Sequence, residues 1–328
     1  MSDPNWPAVS LCIPTFRRPE GLRKLLSHVA ALTYPGPLSV VVVDNDGDQR
    51  AGDAVVRDIQ PQFPFPLSGV VEPRPGQTYA YNTGFATAAR RPATDYVAVL
   101  DDDEFPAPNW LTEMIATAVR CQADIVGGPV FPVFDDPEHW LAKSDLYAPY
   151  RYATGPVDMI YGAGSMVIRR DVLDQYLDEP FSHAFAFTGG SDLDFFVRCR
   201  RDGRSFAWAD EAHVFETTPR SRTTTRWLLL RYFRKGSEAG RLDRLYPSGH
   251  GAALRRWVSG AGLVGYGAAA AVLTAWRGRA AIMGKLLLVA RGMGRLAAEF
   301  DILYEEYRPP GAATEAVVPT NSTKAPRE

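Results

Sequence analysis

The sequence predicts an α/β protein with a mostly parallel central sheet flanked by helices, followed by a helical, basic C-terminal extension. Three observations carry this. Apolar, β-branched runs alternate with amphipathic stretches through the first half, the pattern of parallel strands joined by crossover helices. Polar residues gather just beyond several of those runs, where open parallel sheets bind ligands. From Arg220 to Arg295 the composition changes: 15 Lys and Arg stand against two acids, Glu238 and Asp243. That local net of +13 leaves −15 for the remainder of a chain whose total is −2.

Each element has its own signature. Residues 8–13, AVSLCI, read as a buried strand, 19–32 as a helix, and 38–44, LSVVVVD, as a second strand ending in Asp44. A helix at 51–59, a strand at 67–71, a glycine-opened helix at 76–90 and the strand YVAVL at 96–100 follow. Residues 130–156 turn Pro-rich and aromatic without a clean period, a wandering connection suited to shaping an acceptor pocket. MIYGAGSMVIRR reads as two short strands around a glycine turn, GGSDLDFFVRCRRDG as a loop feeding a helix over 193–201, and 206–208 as a last strand leading into AHVFETTP. From Arg222 to about Tyr307 the chain reads as mostly helical, and 309–328 as a disordered tail. The expected organisation is a site-bearing α/β unit at 1–220, a helical basic region at 221–308, and the tail.

With 328 residues, 46% of them hydrophobic and 11% aromatic, the chain can bury a substantial core. Cys12, Cys121 and Cys199 lie far apart, so neither a disulfide framework nor a thiolate zinc site is suggested and a reducing compartment fits. The N-terminus, MSDPNWPAVS, lacks the basic and apolar regions of a secretory signal, which predicts that the site stays inside the cell.

The chemistry concentrates in LDDDEFP, where Asp101, Asp102 and Asp103 follow a buried strand. Carboxylates so close raise one another's pKa unless a cation or water neutralises them. A hard oxygen-seeking ion, Mg2+ or Mn2+, is the natural occupant, bridging carboxylate and substrate diphosphate. The other reading is an acidic turn capping the helix that begins near Pro108.

The motifs SLCIPTFRRPEGL, VVVDNDGD, PGQTYAYNTG, VAVLDDDEFP, YGAGSMVIRR and GGSDLDFFVRCRRDG occur in that order. Together they resemble the family-2 glycosyltransferases of GT-A fold over about residues 8–220, and within them bacterial exopolysaccharide and surface-glycan enzymes of the succinoglycan glucosyltransferase type. The resemblance implies a nucleotide-sugar donor, UDP-linked for preference, and a glycan or lipid-linked glycan acceptor. It places Pro14, Thr15, Arg17, Asp44 and Asn82 on the donor side, with Asp101 and the intervening Asp102. Asp101 and Asp103 become the two acids of an Asp-x-Asp motif, with Glu216 or His213 as a downstream metal ligand. Tyr81-Asn82 stands where the family often has Arg-Asn. Asp192 matches the aspartate of a Glu-Asp pair whose role is general base, although Ser191 replaces the glutamate; its other role is to cap the helix at 193–201. Gly162, Ala163 and Gly164, with Ser191, fall on the acceptor side, where backbone can approach a substrate closely. Inversion at the anomeric carbon comes with the family.

Residues 257–276, between Arg255-Arg256 and Arg277, hold 20 positions without a charge. A membrane span needs ~20 apolar residues, but this stretch is rich in Gly and Ala, and peripheral attachment is the preferred reading over spanning. The basic region then meets an anionic membrane surface on the cytoplasmic side of the inner or plasma membrane, peripheral or shallowly inserted, and not nucleic acid. The rival functions are a sugar nucleotidyltransferase, for which IPTFRRPEG is a poor phosphate loop, and a catalytically inactive membrane-associated scaffold of the same fold.

Overall fold

Continuous burial along the central strands, on both faces, decides the architecture. In the computed structural model, which describes residues 6–305 apart from 92 and 177, the chain runs β1 (Val9–Thr15), α1 (Pro19–Ala30), β2 (Leu38–Asp44), α2 (Ala51–Ile59), β3 (Leu67–Val71), α3 (Gln77–Ala89), β4 (Tyr96–Val99), β5 (Glu104–Pro106) and α4 (Trp110–Cys121). It continues through β6 (Ile125–Gly127), β7 (Val130–Phe134), β8 (Gly155–Val157), β9 (Met166–Arg169), α5 (Arg170–Gln175), α6 (Ser191–Arg201), β10 (Phe206–Trp208) and β11 (Val214–Thr218). Three long helices follow: α7 (Thr225–Leu245), α8 (Ala252–Leu273) and α9 (Arg279–Ala298).

The main sheet has the order β3-β2-β1-β4-β9-β6-β10-β8. The first four strands are mutually parallel, and β9 is inserted antiparallel between β4 and β6. Because β1 and β2 are covered on both faces they are mostly apolar, with Ser10 and Ser39 hydrogen-bonded to each other at 2.9 Å. Leu11, Ile13, Val40 and Val42 point toward α1, α2 and α4, while Cys12, Val41 and Val43 point toward α3 and α6. The fit on the second face is close: a methyl at Gly84 of α3 would overlap the Cys12 sulfur. The predicted fold class, a GT-A-like α/β sheet with a helical C-terminal region, is what the chain adopts.

A small second sheet, β5-β11-β7, stands beside the ends of the central strands. Its middle strand runs antiparallel to β5 and parallel to β7. The segment at 130–156, expected to wander, contributes β7 to this sheet and ends in β8. Of the two strands expected around the glycine turn of MIYGAGSMVIRR, only β9 forms. Residues 159–165 are held otherwise: Ile160 packs against Gly127, and Ser165 adopts a left-handed φ of 55°.

The helical region is broken after α7 by Pro247 and a left-handed Gly251, and after α8 by a left-handed Gly278. α9 lies between the other two. Added Cβ atoms at Gly236 and Gly294 would overlap backbone across the α7–α9 contact, and those at Gly260 and Gly267 would meet Leu296 and Lys285 of α9 at 2.8 and 2.9 Å. Glycine on this side of α8 is therefore a packing surface. Away from this seam α8 exposes Val258, Tyr266, Val272 and Leu273, and Trp276 is exposed in the turn that follows. No helix among the described residues is long and apolar enough to cross a membrane. Tyr307 and the tail at 309–328 lie outside the described residues.

Candidate active site

The loops after β1, β2 and β4 converge, and charge ties them together. Thr15, at the end of β1, donates its hydroxyl to Asp102 at 2.8 Å, and the Phe16 amide donates to the same carboxylate. Arg18 donates to Asp102 at 2.8 Å and to Asp103 at 3.0 Å. Asp102 is thus a structural tie between the β1 and β4 ends, and Pro14 lies buried in the strand behind it. Arg17 takes a left-handed φ of 54° and reaches Asp46 at 2.7 Å; that hydrogen bond, more than charge or backbone donors, holds the Asp46 carboxyl below the usual range.

Asp44 is buried at the end of β2 and accepts the amides of Asp46 at 3.1 Å and Asp53 at 2.9 Å, the second in the first turn of α2. A Cβ at Gly52 would come within 3.0 Å of the Asp44 carboxyl, so glycine lets the helix sit directly over it. Asn82 accepts the Phe181 amide at 2.9 Å and donates to the Phe181 carbonyl at 2.7 Å. Its amide is a clamp on the loop before α6.

The acidic cluster is wider than the three aspartates. Asp101 accepts the hydroxyl of buried Tyr81, so the residue standing in for a cation supplies a neutral donor instead. Glu104 accepts the Asp101 amide at 2.9 Å, and a methyl at Gly164 would overlap its carboxylate. In the small sheet Glu104 pairs directly with Glu216, an arrangement in which like charges repel. Asp103 and Glu216 are bridged by one guanidinium: Arg222 stands 3.2 Å from Asp103 and 2.7 Å from Glu216. Burial, then the charge of Asp103, raises the Asp101 carboxyl; burial, then Asp101, raises Glu104; and burial, then Asp103, raises Glu216.

These carboxylates are hard oxygen donors with an excess of negative charge, which suits a divalent cation. Among the described residues no three His, Cys, Asp or Glu side chains are gathered as a ligand set. The protein thus fits a cation held by one or two carboxylates that completes its shell from substrate phosphates. Glu216 shares Arg222 with Asp103, whereas the His213 ring packs edge-on to Phe131 at 5.0 Å. Of the two residues considered downstream, only Glu216 adjoins the cluster.

Asp192 lies in the first turn of α6, which the left-handed Gly189 and Gly190 lead into. Burial raises its carboxyl, opposed by the amides of Leu193, Asp192 itself and Ala163, and by Arg234. Asp194, two residues on, is committed to Arg198 at 2.9 Å and the Tyr246 hydroxyl at 2.8 Å, which fastens α6 to the end of α7. A cavity of about 710 Å³ is lined by Asp101, Glu104 and Glu216, by Gly162, Ala163 and Gly164, by Ser191 and Asp192, and by α7. The expected acceptor-side residues therefore meet Asp101, Glu104 and Glu216 in one space. Pro14, Thr15, Arg17, Asp44, Asn82, Asp102, Asp103 and His213 do not line it. Glu104, Tyr81 and Arg222 were not singled out as site residues; the signal for Glu104 was its adjacency to Asp103, while Arg222 is one arginine in a dense run.

Residues 10–177 match the family model described as glycosyl transferase family 2. The chain is 32% identical over 247 residues to the succinoglycan biosynthesis protein ExoM of Rhizobium meliloti (strain 1021), covering 74% of this chain and 77% of that protein. It is 30% identical over 125 residues to the glycosyltransferase AglE of Haloferax volcanii, covering 38% of this chain and 40% of that one. The family model spans β1 to α5 and so includes Asp101 to Asp103, while α6 with Asp192 lies beyond it.

Proposed function

Because the chain belongs to glycosyl transferase family 2, we propose that it moves a sugar from a UDP-sugar to a hydroxyl of a growing exopolysaccharide or other cell-surface glycan, with inversion at the anomeric carbon. The observation that carries this reading is the shared cavity, lined both by the acidic cluster of Asp101, Glu104 and Glu216 and by the Asp192 carboxylate in the first turn of α6. The acceptor hydroxyl loses its proton to Asp192 as its oxygen bonds to the anomeric carbon. The bond from that carbon to the diphosphate breaks, and its electron pair leaves with the nucleoside diphosphate.

Asp101 and Asp103 are the residues that would hold a divalent cation, Mg2+ or Mn2+, with Glu216 beside them. When bound, the cation neutralises charge developing on the departing diphosphate. The chain's own part is to keep the acids placed: Thr15 and Arg18 fix Asp102, Tyr81 fixes Asp101, and Arg222 spans Asp103 and Glu216. Screening the purified protein against a panel of nucleotide sugars for metal-dependent binding and hydrolysis tests the donor. Binding restricted to UDP-sugars is expected; preference for another nucleotide would overturn the UDP assignment.

The exposed apolar side of α8, with Val272 77% exposed, and Trp276 in the turn after it, 84% exposed, lie in a region of net charge +13. This supports peripheral attachment to an anionic membrane on its cytoplasmic side. The protein should sediment with vesicles of phosphatidylglycerol and phosphatidylcholine at low salt and be released as ionic strength rises. Trp276→Ala should shift release to lower salt. No sedimentation at low salt would reject the attachment.

A further inference from the structure

The transfer chemistry uses the acids, Arg222 and Asp192, and leaves one wall of the cavity without a role. Arg231 and Lys235 of α7 and Arg291 of α9 line that wall beside Tyr150 and Tyr232. Neighbouring cations are matched: Arg234 with Glu238 at 3.1 Å, Arg256 with Glu299 at 2.6 Å, Arg244 with Asp301 at 2.7 Å, and Arg295 with Asp243. Among the described residues, Arg231, Lys235 and Arg291 form no ion pair with a carboxylate.

The three act on one another. Burial first, then Arg231, pushes the Lys235 ammonium down to about 8, with Arg234 and Arg291 adding to it and Glu238 opposing. Arg231 and Arg291 both act on the Tyr232 hydroxyl. Packing enforces this crowding, since Gly236, next to Lys235, lies against the backbone of Arg291 too closely for a side chain. Three like charges drawn together at one cavity wall are unfavourable, and Glu238 and Glu216, which act on Lys235 and Arg231 from the same cavity, make no ion pair with them, so the arrangement suits an anion arriving from outside. Two guanidinium forks and an ammonium suit phosphate oxygens.

Resting on the glycosyl-transfer reading, we propose that Arg231, Lys235 and Arg291 form a second anion site that holds the phosphate or diphosphate of a phosphate-ester acceptor, distinct from the donor's place at the carboxylates. The anion-bearing end of the acceptor is thereby anchored on the helical wall while its sugar extends toward Asp192. Tyr150 and Tyr161, both exposed and 6.0 Å apart between ring centroids, flank the cavity on which that sugar would lie.

The test is calorimetric titration of the full chain, saturated with UDP, with glucose 1-phosphate as a soluble probe and farnesyl phosphate in detergent as a lipid probe. Binding with UDP present is expected, weakened tenfold or more by Lys235→Met and by Arg291→Gln, the latter on an exposed side chain. Tighter farnesyl phosphate assigns a lipid-linked acceptor, and tighter glucose 1-phosphate a soluble one. Competitive displacement by UDP, or wild-type affinity in both variants, would overturn the second site. UDP affinity measured separately keeps the two readings apart, because its absence would reject the donor reading and not this wall.

Discussion

Asp192→Asn should lower transfer by about a thousandfold or more while leaving UDP-sugar affinity within about twofold, the signature of a lost general base. The asparagine keeps the size of the side chain and can still accept the amides of Leu193 and Ala163 that now meet the carboxylate, so the first turn of α6 should survive. The wild-type profile carries a second mark of the same role. A base works when deprotonated, and burial raises this carboxyl. Activity should therefore fall, as pH is lowered, at a value above the ordinary carboxylate range, and that limb should vanish from the residual activity of the variant. Stopped-assay rates across pH check both, and retained transfer would remove Asp192 from the mechanism.

Asp103→Ala should abolish metal-dependent donor binding and lower transfer by about 10²–10³, the scale of several kcal/mol of charge stabilisation. Removing this carboxylate takes one partner each from Arg222 and Arg18, held by it at 3.2 and 3.0 Å, while Glu216 and Asp102 keep them in place at 2.7 and 2.8 Å. Some donor affinity should persist without metal, because the N–H groups released on those guanidinium forks can meet the diphosphate. Titration of UDP with and without Mn2+ separates the two contributions. An unchanged response to Mn2+ would show that Asp103 is not a ligand.

Strands β1, β2 and β4 were legible because they are largely apolar on both faces and bounded by a polar end; LSVVVVD matches β2 residue for residue. The Asp101 to Asp103 cluster was legible for a related reason, since charge directly after a buried strand has no packing explanation. The small sheet was not. EFP reads as part of an acidic turn, and its strand character comes from pairing with residues 214–216, more than a hundred positions away. Arg222 was hidden in the same way, as one arginine among many until folding brought it between Asp103 and Glu216. Tyr81 was legible only as a departure from a motif, because its hydroxyl contact with Asp101 crosses from a helix to the end of a strand. The glycines of α8 weakened the case for a spanning helix, but their use as a seam against α9 depends on a partner read separately along the chain.

The placement of α9 between α7 and α8 has a consequence for how the molecule is made. The helix that joins the other two is the last of the three to leave the ribosome. Synthesis proceeds N-terminus first, and the earlier part can begin to fold while the rest is still being built. During that interval Gly236 and Gly260 have no backbone to seat against, Arg291 has yet to be added, and one side of the substrate chamber is unfinished. A nascent chain stalled before residue 279 would hold its aspartates but lack the part of the chamber wall that α9 supplies.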